Sequence, residues 1–199
     1  MIAAPAASPL GARRNRLPGV EGIWALIGAD AVLFAVLFGS FMQERQHGPT
    51  VFEASRQTLN LNLGGIDTLI LLTSSWMVAL AIHALKNDLI ERVHRYLLAG
   101  MLCGFLFMAC KAIEYVQKLT HGITPATNSF YMWYFTLTGV HLFHVALGTA
   151  LLTFIWIRSR HGHYRNTNQA VPESAASFWH LVDLVWLVLF PLLYLLKAA

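Results

Sequence analysis

E-S-A-A-S-F-W-H-L-V-D-L-V-W-L-V-L-F-P-L-L-Y, residues 173–194, is apolar enough to lie in a bilayer and yet carries Glu173, His180 and Asp183. On a helix, positions three, four or seven apart share a face. Glu173, Ser177, His180 and Asp183 therefore form one polar stripe, and Tyr194 returns to it further along. Ionisable side chains at membrane depth are costly unless they face protein, water or each other. This helix must pack against partners, and the rest of the chain has to supply polar stripes that answer it.

Composition agrees with a membrane protein. Of the 199 residues, 56% are hydrophobic and only 12% charged, and the mean hydropathy is positive. Several apolar runs reach the roughly 20 residues needed to cross a ~30 Å hydrocarbon core. The +4 formal charge does not call for nucleic acid, because the basic residues sit in the gaps between apolar runs rather than in clusters interleaved with aromatics. Cys103 and Cys110 fall seven apart on one helix, about 10 Å along its axis. That is too far for a mutual disulfide, and they lack the CxxC spacing of redox or zinc sites.

The predicted fold class is all-α: an integral membrane bundle of five transmembrane helices over about 22–42, 64–85, 96–119, 130–157 and 176–196. A disordered basic tail (1–20) precedes this single domain (21–199), and a polar loop over 43–62 joins the first two spans. Arg13, Arg14, Arg16, Lys86, Arg92, Arg95, Arg158, Arg160 and Arg165 fall on one side, against Arg45, Arg56, Lys118 and Lys197 on the other. Cytoplasmic loops are enriched in Lys and Arg, which predicts a cytoplasmic N-terminus and an outside C-terminus. Pro191 should remove a backbone bond and bend the last helix.

The candidate functional residues are the intramembrane polar ones. Lys111 and Glu114, at i and i+3, can form an internal ion pair or a proton relay, and spacing does not separate the two. Asp30 has no charged neighbour within a turn of its own helix. It is either a proton-linked site or a protonated acid hydrogen-bonded to another helix. Gly100 and Gly104 permit close helix approach. Tyr134, Thr138, His141, His144 and Gly148 share a stripe on the fourth span. His141 and His144, with Glu114, His180 and Asp183, suggest either a network of interhelical hydrogen bonds or a metal site. The Glu-x-x-His pairs of bundle metal sites are missing. Trp24, Trp133, Trp156 and Trp179 lie near span ends and read as interfacial anchors. From the residues alone, a stand-alone proton- or ion-conducting protein and a membrane metalloenzyme both stay open.

The run Thr138-Gly139-Val140-His141-Leu142-Phe143-His144-Val145, followed by Gly148, resembles the T-G-x-H-x-x-H-V-x-x-G motif of subunit III of the haem–copper oxidases. Glu173 with Trp179-His180-Leu181-Val182-Asp183-Leu184-Val185-Trp186 is similar to that family's closing E…W-H-x-V-D-x-V-W, and Glu114-Tyr115 to its third-helix acid–aromatic pair. The resemblance runs from about residue 17 to 197. It is to the five-span form rather than the seven-span one. Asp30 stands where the family usually carries Glu. Three runs, 72–76, 122–128 and 189–194, look most like the branch associated with bacterial nitric oxide reductase.

The resemblance implies an accessory subunit of a cytochrome c oxidase-type complex in the prokaryotic plasma membrane, with no haem, copper or catalytic centre of its own. It implies as partner a catalytic, haem- and copper-bearing subunit I that reduces O2 in aerobic electron transport, or NO in denitrification. It also implies bound phospholipid in a cleft of the bundle, and a link between the intramembrane acid and proton uptake. The expected polar network is then Asp30, Lys111, Glu114, His141, His144, Glu173, His180 and Asp183.

Overall fold

A computed structural model describes residues 21–160, 164 and 169–197, and the tail expected over 1–20 lies outside them. All regular structure among the described residues is helical: α1 (Glu21–His47), α2 (Pro49–Arg56), α3 (Leu61–Lys86), α4 (Ile90–Thr120), α5 (Ser129–Arg160) and α6 (Ala170–Phe190). α6 continues into a π-type turn over Pro191–Leu195. Five of these helices are long and apolar enough to cross a membrane.

The helices overrun the expected spans at their polar ends. α4 begins at Ile90 rather than 96, and α6 at Ala170 rather than 176. A helix does not stop where hydrocarbon stops, because long side chains such as Arg92 and Arg95 keep their heads in water while the backbone stays helical. The loop expected over 43–62 is also corrected. It contains α2, opened by Pro49 in the first turn, where the missing N–H costs nothing. Phe52 from α2 is buried edge-on between Phe41 and Phe130, at ring-centroid distances of 5.5 and 5.6 Å.

Helix ends follow local chemistry. The Asn60 side chain accepts from the Asn62 and Leu63 N–H groups and starts α3. α4 stops at Gly122, whose φ of +76° favours glycine. There the Ile123 N–H reaches the Lys118 carbonyl at 2.9 Å and the Gly122 N–H the Leu119 carbonyl at 3.0 Å. Where the sequence predicts a bend at Pro191, the helix widens, and the Leu196 N–H reaches back five residues to the Pro191 carbonyl. Arg56 donates to the Tyr194 carbonyl and Arg45 to the Leu196 carbonyl, satisfying this loosened end.

α3, α4, α5 and α6 pack in a closed ring, and α1 lies across the α5–α6 groove. The ring closes on Trp179, which is fully buried rather than an interfacial anchor. Gly104 and Gly148 make its slot: a Cβ on Gly148 would fall 2.6 Å from the indole, and one on Gly104 3.0 Å from it. The indole N–H donates to Ser74 Oγ, which itself donates to the Gly100 carbonyl. The expected span begins at 176, only three residues before Trp179, which disguised a core residue as a rim residue, whereas α6 begins at Ala170.

Candidate functional site

Two polar centres lie inside the bundle, and the deeper one surrounds Lys111. α4 carries Lys111 and Glu114 on its inward face, α3 contributes Asp67, and the π-type turn after α6 brings in Tyr194. Lys111 Nζ stands 2.9 Å from Asp67 Oδ2 and 2.7 Å from Glu114 Oε2, and 3.3 Å from Tyr194 Oη. The Tyr194 hydroxyl donates to the other Glu114 oxygen at 3.2 Å. The ammonium also lies over the Trp186 ring, 4.7 Å from its centroid. Both carboxylates and the lysine are almost wholly buried.

Lys118, two turns further along α4, stands 4.0 Å from Glu114 Oε1 and over the Tyr134 ring. An open vestibule of about 290 Å³, lined in part by Thr58, Asn60, Gln117 and His121, reaches Glu114 and Lys118. Two acids thus face two bases. Such a group is stable at low dielectric only because each charge keeps a partner. The i,i+3 pair was legible in the sequence. Asp67 was not, because its link to Lys111 crosses between helices, and only an acid early in an apolar span could have hinted at it.

The second centre joins α1 to α5. His144 Nε2 is 3.5 Å from Asp30 Oδ1, and its Nδ1 is 2.7 Å from the Val140 carbonyl. A carbonyl only accepts, so Nδ1 carries a hydrogen.

The remaining expected residues scatter. Glu173 pairs with Lys86 at 2.9 Å, near the end of α3. His180 Nδ1 meets Ser75 Oγ at 2.7 Å, and Asp183 Oδ2 lies 3.9 Å from the same nitrogen. His141 is fully buried, with its ring against Phe107 and Trp186 and neither nitrogen hydrogen-bonded among the described residues. The expectation that it bonds between helices is corrected: aromatic packing holds it. Among the described residues no three His, Cys, Asp or Glu side chains converge as a metal would need: His180 and Asp183 approach each other, while His141, His144 and Glu114 have other neighbours.

The chain from residue 21 to 198 matches the family described as "Cytochrome c oxidase subunit III". It is 33% identical over 176 residues to cytochrome c oxidase subunit 3 of Synechocystis sp., covering 88% of this chain and 74% of that one. To quinol oxidase subunit 3 of Bacillus subtilis it is 30% identical over 180 residues, covering 89% and 86%. To cytochrome bo(3) ubiquinol oxidase subunit 3 of Buchnera aphidicola it is 29% identical over 184 residues, covering 92% and 95%. With nearly the whole described chain aligned and its five spans in place, this protein belongs to the cytochrome c oxidase subunit III family.

Proposed function

We propose that this multi-pass membrane protein is the cofactor-free third subunit of a haem–copper oxidase complex in a prokaryotic plasma membrane, with its N-terminus in the cytoplasm. It braces the catalytic, haem-bearing subunit and carries the Asp30–His144 pair as a proton-linked element on the uptake side. Bound phospholipid, and membership of the branch associated with nitric oxide reductase, belong to the same proposal. The support for the branch is the run-by-run resemblance at 72–76, 122–128 and 189–194, and that for phospholipid is the resemblance to the family as a whole.

The observation that carries the proposal is how the interior charges are spent. Lys111 is held by Asp67, Glu114 and Tyr194 together, and these groups lock three elements of the bundle, with Glu114 alone of the four lining the neighbouring vestibule. Such a centre braces a scaffold. A reaction centre needs groups poised around space for a substrate.

The test is purification of the tagged chain in mild detergent from its native membrane. A haem absorbance spectrum and O2 or NO consumption should travel with it. If the chain emerges without any haem protein and instead drives proton or ion flux in liposomes, the conducting reading replaces this one.

A further inference from the structure

Of the two bases in the buried charge cluster, Lys118 is the one left without a close partner. Lys111 takes both acids at hydrogen-bond distance, Asp67 at 2.9 Å and Glu114 at 2.7 Å. Lys118 Nζ stands 4.0 Å from the other Glu114 oxygen, beyond hydrogen-bond reach, and makes no hydrogen bond among the described residues. Its side chain is nevertheless only 10% exposed. An ammonium so enclosed calls for an acceptor. The free space it borders is the vestibule of about 290 Å³, which Lys118 and Glu114 both line.

The rest of the lining sets the chemistry. Asn60 spends its side-chain oxygen on capping α3, which leaves its Nδ2 group to donate. Leu63, in the first turn of α3, brings the positive end of that 26-residue helix to the wall. The negative end of α4 is muted, because the Gln117, Lys118 and Leu119 carbonyls accept from the His121, Ile123 and Gly122 N–H groups. These features favour an anion. Glu114 sets the opposite demand, since a carboxylate only accepts. His121 agrees with it: Nδ1 faces the Gln117 carbonyl at 2.6 Å and so carries hydrogen, which leaves Nε2 of the neutral ring as an acceptor. An occupant has to bring an anionic oxygen for Lys118 and an O–H for Glu114.

We propose that the vestibule binds a small free oxyanion that keeps a proton, the hydrogenphosphate class, its anionic oxygen accepting from Lys118 and its hydroxyl donating to Glu114. Such an anion answers both demands at once. A fully deprotonated oxyanion such as sulfate sets a negative oxygen against the carboxylate. A lipid phosphodiester does the same, having no P–O–H to give, so the site selects by repulsion as well as by attraction. It lies wholly within this chain and does not depend on which complex the chain joins.

The test is equilibrium dialysis of the chain, purified in mild detergent with the subunits it retains, against radiolabelled inorganic phosphate at neutral pH. Wild type should bind phosphate saturably. Sulfate should compete about ten- to a hundred-fold less well, the span for one hydrogen bond to a charged group. Lys118→Met should weaken phosphate binding by a similar factor, and Lys118→Arg should keep most of it. Glu114→Gln can donate as well as accept, so it should bring sulfate and phosphate close to parity. That ratio is read within one variant and keeps its meaning even if packing around Lys111 loosens. Sulfate competing as well as phosphate in wild type, no saturable phosphate, or wild-type binding by Lys118→Met would overturn the assignment. So would phosphate that binds only after the protein is stripped of lipid, which gives the site to a headgroup instead.

Discussion

Single residues in this bundle are costly to change where a charge or a ring has no room to relax. Lys111→Met leaves Asp67 and Glu114 buried without their shared cation, which should cost about 3–5 kcal/mol. Thermal or denaturant unfolding in detergent would show this as an early transition. Replacing all four as Lys111→Met, Lys118→Met, Asp67→Asn and Glu114→Gln should recover most of the loss, because no unpaired charge of the cluster remains. The Trp179 slot gives the steric counterpart. Gly148→Ala sets a methyl 2.6 Å from the indole, and overpacking of this kind costs about 1–3 kcal/mol. Melting of the purified variant checks it, and wild-type stability would mean that the ring has room to shift.

At the scale of elements, α1 is held to the bundle in part by a polar clip. It lies outside the four-helix ring, with exposed Val32 and Val36 along its outer face, and Asp30–His144 joins it to α5. Asp30→Asn keeps size and a hydrogen-bonding group but removes the carboxylate. It should leave assembly intact and alter turnover in the complex. Asp30→Ala should also weaken the hold on α1, read as lower yield of intact complex. Turnover and assembly like wild type in both variants would make Asp30 a passive acid.

The sequence made the spans legible because apolar length is nearly sufficient to specify a membrane helix. It made the Lys111–Glu114 pair legible because three residues close a helical turn. Asp67, Ser75 and His144 meet their partners across helices, and periodicity along one helix holds no record of which face its neighbour presents. α2 stayed hidden for a different reason. Its eight residues are polar on average and gain their order from Phe52 packed against α1 and α5.

For the whole molecule, sidedness is the open physical quantity, and the basic-residue asymmetry predicts it. Reporter fusions after His161 should behave as cytoplasmic, and those after Ala199 as external. With Cys103 and Cys110 replaced by Ala, Gln117→Cys at the vestibule should react with a membrane-impermeant maleimide in intact cells, and Asn87→Cys only after lysis. The reverse pattern would invert the molecule. The clip between α1 and α5 also sets an order of events in biogenesis. Asp30 is synthesised more than a hundred residues before His144, and at about 5–20 residues per second the ribosome needs on the order of ten seconds to cover that distance. During that interval the nascent first helix has its acid in or near the bilayer without its eventual partner, so it is the segment most dependent on the insertion machinery to hold it until the fifth helix arrives.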